Sequence, residues 1–137
     1  MLLEPTALAS TLRYLADSLE QDYGRDPAPL FARAGVPLAH TRESGARVSQ
    51  AATRRLWALC IDATGDPAIG LSFGRRIRPE GLHALGYAWM SSRCLADALA
   101  RFSRYASLLV HLPLEARVVT DANGCRLSLA FPDPEHQ

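Results

Sequence analysis

The hydrophobic positions of this chain follow helical spacing through most of its length and alternate with polar positions only near its end. The segment Thr6–Gln21 carries leucines at spacings of four, three and four, which predicts an amphipathic helix. Asp26 before Pro27 is a helix N-cap followed by a first-turn proline, and it predicts a short helix over Pro27–Ala34. The stretch Val36–Val48 has no periodic pattern and is interpreted as a loop.

The same capping signals predict two further helices. Ser49 is an N-cap for a helix that runs to about Thr64, and Asp66-Pro67 begins a short helix that ends near Gly74. The inward positions of the longer helix are apolar: Leu56, Trp57, Cys60 and Ile61. The residues Arg75–Gly81 are interpreted as a charged connector.

A pair of serines separates the next two predicted helices. In the first of them, one face is fully apolar and consists of Leu82, Leu85 and Trp89. The neighbouring face mixes polar and apolar groups and consists of His83, Tyr87 and Met90. Ser91 and Ser92 end this helix, and either can cap the second, which runs from Arg93 to about Val110.

The second of these helices carries a wide apolar stripe. Its members are Leu95, Leu99, Phe102 and Leu109, filled in by Ala98, Tyr105 and Ala106. Leu99 lies in the middle of the stripe and is expected to anchor the core. Asp97 and Arg101 stand four residues apart in the favourable acid-first order, which predicts an ion pair.

Alternation replaces helical spacing after Pro113 and predicts a β-hairpin. Asn123-Gly124 is the strongest short-range hairpin signal available, because a type I′ turn needs a positive φ at both central residues. With that pair as the loop, Asp121 faces Arg126, although other loop lengths leave the register open. The period of two still fixes one mostly apolar side. That side consists of Ala116, Val118, Thr120, Ala122, Cys125, Leu127, Leu129 and Phe131.

Composition limits the class of protein. The length of 137 residues suits a single domain that can bury a core without disulfides, and the pattern predicts an α+β fold. The three cysteines are widely separated, which favours reduced thiols in a cytosolic protein. A leader peptide or membrane span is not predicted, and we expect a cytoplasmic location. The net charge of +1 does not draw the chain to nucleic acid or membrane.

The chemistry-bearing residues do not form a known catalytic or metal pattern. The four histidines are far apart, and the cysteines lack metal-ligand spacing, so neither a metal nor another cofactor is predicted. Cys94 near a helix N-terminus could favour a thiolate, but the other parts of a nucleophilic site are missing and we do not expect an enzyme. The clusters Arg54-Arg55 and Arg75-Arg76-x-Arg78 are solvated or paired within the chain, or form a docking face for a DNA-binding domain.

The order and spacing of several motifs resemble a family of bacterial regulators. They are Gly81-Leu82 leading to Gly86-Tyr87, the break at Ser91-Ser92, and the run Leu95-x-x-Ala98-Leu99-x-x-Phe102-x-x-Tyr105. Gly35-Val36-Pro37, the helix around Trp57 and the Gly65–Leu71 turn fit as well. Over about residues 8–131 the chain resembles the arabinose-binding-like N-terminal sensor domain of AraC-type transcriptional regulators.

The resemblance implies a function that the residues alone do not. It implies an effector-sensing domain that spans 1–137, as a fragment of a longer regulator whose helix-turn-helix domain lies outside this chain. The implied partners are a small metabolite, a second copy of the chain, and DNA only through that other domain. The ligand-binding candidates are His83, Tyr87, Met90, Trp57 and Tyr105. The alternative is a protein interaction or dimerisation module without a ligand.

Overall fold

A computed structural model of the chain describes residues 5–106, 115–122 and 124–130. The fold is α+β, as predicted. Its described helices are α1 (Ala9–Tyr23), α2 (Pro27–Ala34), α3 (Gln50–Thr64), α4 (Ile69–Arg76), α5 (His83–Met90) and α6 (Leu95–Tyr105). Its described strands are β1 (Thr6–Leu8), β2 (Arg47–Ser49), β3 (Glu115–Asp121) and β4 (Gly124–Ala130). They divide into an N-terminal unit that ends at Ile77 and a C-terminal unit that begins at Arg78.

The core of the N-terminal unit is built around α1. The leucines at positions 12, 15 and 19 are almost completely buried, as the periodicity predicts. They cluster with apolar side chains from the other three helices of the unit, including Phe31, Leu56, Cys60 and Ile69. The helical stripes of α1 to α4 therefore meet in a single cluster, which stabilises the unit by removing apolar surface from water.

Helices α2 and α3 begin where their capping residues predict. The Asp26 side chain accepts a hydrogen bond from the Ala28 N–H at 2.9 Å, and Pro27 follows as the first helical residue. The Ser49 hydroxyl accepts one from the Ala52 N–H at 3.2 Å. Each cap satisfies an N–H that has no partner inside its helix, so these boundaries are set locally.

A small antiparallel sheet forms where a helix start and a loop were predicted. β1 pairs with β2, with Ala7 opposite Val48, and the Arg47 Nε donates to Thr6 Oγ1 at 2.7 Å. The prediction for these segments was therefore wrong, and the rest of the predicted loop contains a 3-10 helix, Leu38–Arg42. The strands have three residues each, too few to show alternation in the sequence.

A hydrogen-bonded clamp joins the end of α1 to α4. Arg76 donates from Nε and Nη2 to the two Asp22 carboxylate oxygens at 2.9 and 2.5 Å, and from Nη1 to Gln21 at 2.7 Å. The Ser18 hydroxyl donates to the same carboxylate at 2.8 Å. These bonds, with the Arg76 guanidinium first, lower the pKa of Asp22 to about 2.

The clamp corrects the prediction of a charged connector. Arg75 and Arg76 are the last two residues of α4, which continues past Gly74. Arg76 has an ion-pair partner within the chain, and Arg55 donates a hydrogen bond to the Ala34 carbonyl at 3.3 Å. Intramolecular pairing therefore accounts for part of both arginine clusters.

A second polar contact binds the same two helices. The Tyr23 hydroxyl donates to the Asp66 carboxylate at 2.5 Å and lies 3.3 Å from the Ser72 hydroxyl. The bond to Asp66 raises the pKa of Tyr23, and it lowers the pKa of Asp66 together with the Ala68 N–H. Asp66 also accepts a hydrogen bond from the Ala68 N–H at 2.8 Å and so ties the turn before α4 to the end of α1. The helix itself begins at Ile69, two residues later than the Asp66-Pro67 signal predicts, and it has no side-chain cap.

The hairpin lies in the C-terminal unit beside α6, and its register, which the sequence left open, is not the one that an Asn123-Gly124 loop would give. Asp121 pairs with Gly124 rather than Arg126, and Val118 with Leu127, which shifts the pairing by two residues. Gly124 is the first residue of β4, so it does not belong to the loop as predicted, and Asn123 lies outside the described residues. The shift by two leaves the predicted faces unchanged, because side chains alternate with a period of two.

Candidate functional site

Helices α5 and α6 pack against each other and create two concave surfaces in the C-terminal unit. Leu85 is buried, and the Trp89 and Phe102 rings meet edge to face with centroids 5.7 Å apart. Ser91 and Ser92 both donate their hydroxyls to the Ala88 carbonyl, so they close α5 rather than cap α6. The connection between the two helices is thereby fixed from the α5 side.

The apolar stripe of α6 is narrower than predicted. Ala98 is buried and Leu99 and Phe102 are half-buried, but Leu95 is 67% exposed. Leu95 is the first residue of the helix and lies within an exposed stretch, residues 93–96. The expectation that it faces the core was wrong, and Leu109 lies outside the described residues.

A cleft of about 330 Å³ lies between the two helices. Its described walls are Ala84, Leu85 and Ala88 from α5, with Arg101 and Tyr105 from α6. Small ligand sites commonly combine mostly apolar walls with a few placed polar groups, and this cleft has that character at the lower end of their usual size.

A second cleft, of about 410 Å³, continues along α6. Its described lining is more polar and consists of Asp97, Ala100, Arg101, Arg104 and Tyr105. Arg101 and Tyr105 line both clefts, so the two surfaces meet at these side chains. We call the two together the α5–α6 cleft.

Arg101 is the most connected polar group of the cleft, although each of its bonds is long. Its guanidinium donates to Asp97 at 3.4 Å, to the Ala88 carbonyl at 3.3 Å and to the Ser91 hydroxyl at 3.2 Å. The ion pair with Asp97 was predicted from the spacing of the two residues. Asp97 also accepts from the Arg93 N–H, and this bond, ahead of the bond from Arg101, lowers the pKa of Asp97.

The structure brings only Tyr105, among the five residues proposed from sequence, to this cleft. Tyr87 and Met90 are 63% and 59% exposed and lie on another face of α5. His83 is the first residue of α5, and Trp57 packs edge to face on Phe73 in the N-terminal unit. Arg101 and Arg104 were not proposed as ligand-binding residues, although their spacing from Tyr105 already places all three on neighbouring positions of one helix.

The start of α5 is held by an unusually close backbone approach. A Cβ added to Gly86 would overlap the Pro79 carbonyl, which belongs to the 3-10 helix Pro79–Leu82. His83, between these residues, has a φ of 52°, which costs a non-glycine residue about 1–3 kcal/mol. The wall of the cleft that α5 provides is therefore positioned by a strained, tightly packed turn.

The metal-ligating and thiol side chains of residues 5–106, 115–122 and 124–130 are dispersed. Within these ranges no three His, Cys, Asp or Glu side chains group as metal ligands. Cys60 lies in the core, where burial raises the pKa of its thiol to about 11, while Cys94 and Cys125 are exposed. No helix in the same ranges is long and apolar enough to cross a membrane.

Comparison with known proteins defines the class. The family described as the arabinose-binding domain of AraC transcription regulators, N-terminal, matches residues 24–137. The chain therefore belongs to this family of ligand-sensing regulatory domains, which is not a family of enzymes. No curated protein matches the chain.

Proposed function

We propose that this chain is the effector-sensing domain of a cytoplasmic AraC-type transcription regulator and that a small metabolite binds in the α5–α6 cleft. The observation that carries the proposal is the cleft itself, with apolar walls from α5 and polar groups from Arg101 and Tyr105, in a chain of a ligand-sensing family. Binding then changes how an attached helix-turn-helix domain engages its operator.

The effector acts through a difference in affinity. A ligand shifts a conformational equilibrium only as far as it prefers one state over the other, and couplings of about 1–3 kcal/mol are typical. Ala88 and Leu85 face the cleft while the neighbouring Gly86 holds α5 against Pro79. A ligand that binds beside α5 therefore acts on a helix whose first turn already has a strained backbone.

A thermal-shift screen of the 137-residue chain against a metabolite library tests binding. A specific ligand at a hundred times its dissociation constant adds about 2.7 kcal/mol to the free energy of unfolding. Ala84→Leu partly fills the cleft and should remove this shift, whereas Ala96→Leu, an exposed change on α6 outside the cleft, should keep it. Equal shifts for both variants would place the ligand elsewhere.

A matched pair of tyrosine variants separates the cleft from the face proposed on sequence alone. Tyr105→Phe removes a hydroxyl at the cleft, and Tyr87→Phe removes one from the exposed face of α5. We expect only Tyr105→Phe to weaken binding. A loss confined to Tyr87→Phe would instead favour the face with His83 and Met90.

The hairpin favours a second candidate function, a dimerisation module without a ligand. Leu127 and Leu129 share one face of β4 and are 37% and 51% exposed, and contiguous exposed apolar side chains commonly mark protein interaction sites. Sedimentation velocity of Leu129→Lys tests it, with Val119→Lys on the opposite face as the control. A dimer that only Leu129→Lys dissociates would support this function, and a monomeric parent chain would exclude it.

A further inference from the structure

The α5–α6 cleft has a distinct arrangement of charge at its polar end. Among its described lining residues, Arg101 and Arg104 carry positive charge and Asp97 carries negative charge. Arg104 is exposed and has neither a hydrogen-bond nor an ion-pair partner among residues 5–106, 115–122 and 124–130. The described side chains therefore leave one more positive than negative charge where the polar and apolar parts of the cleft meet.

The opposite end of the cleft is apolar. Ala84, Leu85 and Ala88 present only hydrocarbon side chains, and Tyr105 contributes its ring as well as its hydroxyl. A sugar carries hydroxyls around its ring, and each buried hydroxyl left without a partner lowers affinity. The described walls offer a sugar few such partners, because their polar side chains are confined to the α6 side.

We propose that the effector is a small amphipathic acid, whose anionic group lies between Arg101 and Arg104 and whose apolar part lies on Ala84, Leu85 and Ala88. This inference rests on the proposed function, since it names the chemical class of ligand for the same cleft. Guanidinium groups bind carboxylates through paired, charge-assisted hydrogen bonds. The long 3.4 Å contact between Arg101 and Asp97 leaves Arg101 able to bind a second carboxylate.

Four probes separate the features of such a ligand. Hexanoate combines an anion with an apolar chain, hexan-1-ol keeps the chain without the charge, acetate keeps the charge without the chain, and L-arabinose represents a sugar. Isothermal titration of each into the 137-residue chain gives the affinities, and amide chemical shifts locate the binding site. We expect hexanoate to bind about tenfold tighter than acetate, because burial of two methylene groups suffices for that ratio.

Charge variants should act on hexanoate in opposite directions. Arg104→Gln removes the second cation of the described lining and should weaken the affinity for hexanoate by about 1.5- to 5-fold, the range of exposed ion pairs. Asp97→Asn removes the competing carboxylate and keeps an oxygen for the Arg93 N–H, so the affinity for hexanoate should rise. Arg33→Gln, which changes an exposed arginine of α2 outside the cleft lining, is the control and should leave the hexanoate affinity unchanged. Hexan-1-ol should be insensitive to all three variants.

Salt gives an independent readout. Hexanoate affinity should fall between about 0.01 and about 0.15 M salt, where the screening length shortens from about 30 to about 8 Å. Hexan-1-ol affinity should not fall. A structural effect of the variants on the fold would alter both probes alike, so this contrast separates charge recognition from packing.

Failure of the inference and failure of the proposed function look different. If hexan-1-ol or arabinose binds more tightly than hexanoate and shifts the amide resonances of Leu85, Ala88 and Tyr105, the cleft is a sensing site but its ligand is not an acid. If hexanoate shifts only resonances outside the cleft, or if no library compound shifts the resonances of the cleft residues, both the acid ligand and the proposed function are overturned. Hexanoate bound at the cleft with opposite responses to Arg104→Gln and Asp97→Asn supports both.

Discussion

Gly86 is the residue on which the position of α5 depends most directly. Its Cα approaches the backbone of Pro79 so closely that any side chain would meet a carbonyl group rather than a flexible side chain. The backbone of a short 3-10 helix cannot yield as a rotamer can. Glycine inside a helix usually lowers stability, but here the close packing against Pro79 requires a residue without a side chain.

Gly86→Ala should destabilise the C-terminal unit by about 1–3 kcal/mol or more, as overpacked cores do. Urea unfolding followed by amide resonances of α5 would measure this. Gly74→Ala is the matched control, because open space surrounds that helical glycine and alanine should stabilise it by about 0.5–1 kcal/mol. Equal responses at the two positions would contradict the close approach.

Two leucines of α6 also differ in ways that periodicity does not reveal. Leu99 is half-buried, so Leu99→Ala should cost about 1–3 kcal/mol, at or below the usual range for a core leucine. Leu95→Ala should stay within about 0.5 kcal/mol, because Leu95 is 67% exposed. Denaturation midpoints of the two variants would check this, and overlapping curves would contradict the greater burial of Leu99.

At the scale of elements, the clamp between α1 and α4 links stability to pH. Asp22 has a pKa of about 2 in the folded state against 3.8 as the ordinary value. Because the pKa is depressed, the carboxylate stabilises the fold at pH values above its ordinary pKa. This stabilisation is lost as the pH falls from about 4 through about 2. Arg76 keeps its charge throughout that window.

Asp22→Asn should lower the urea midpoint at neutral pH and flatten its decline between about pH 4 and about pH 2. The difference between variant and parent should therefore shrink as the solution becomes more acid. Asp62→Asn, an exposed aspartate on α3, serves as the control and should follow the parent at every pH. A constant difference for Asp22→Asn would show that the carboxylate does not titrate with the clamp.

Gly124 holds the hairpin in its observed register. Its φ of 141° lies in a region that side chains rarely adopt, so Gly124→Val should strain the backbone whatever the space around it. We expect a loss of cross-strand contacts between Asp121 and position 124, measured as nuclear Overhauser effects. Retention of those contacts with an unchanged melting temperature would mean that the backbone tolerates the substitution.

The elements show what sequence can and cannot specify. α2 and α3 were predicted at their observed bounds, because Asp26 and Ser49 act on N–H groups two or three residues away. β1 and β2 were missed, because their pairing joins residues more than 40 positions apart through Arg47 and Thr6. The α5–α6 cleft was anticipated only through Tyr105, since a cavity depends on the distance between helices and periodicity gives only their faces.

At the scale of the whole molecule, charge separates ligand sensing from DNA reading. The net charge is +1, and Arg76 is already bound to Asp22. Specific readout needs side chains that reach base edges from an element within a groove, together with basic groups on the flanking phosphates. The described elements present no helix with a run of unpaired basic residues on one face.

We therefore expect this chain alone to bind DNA weakly and without regard to sequence, with a dissociation constant on the order of 10⁻⁴ M or weaker. Fluorescence anisotropy with the promoter of the regulator's own operon and a scrambled duplex would measure this at about 0.15 M salt. Tight binding with discrimination between the two duplexes would relocate DNA recognition into these residues.

Helix α1 ends at Tyr23, and the family match begins at the next residue. A recombinant fragment trimmed to the matched residues would lack Leu12, Leu15 and Leu19 and would expose the surface of Phe31 and Leu56 that they cover. Such a fragment would aggregate and be poorly soluble because of this exposed apolar surface, whether or not its ligand is present. The boundary by which relatives are recognised is thus not the boundary at which this polypeptide can be cut.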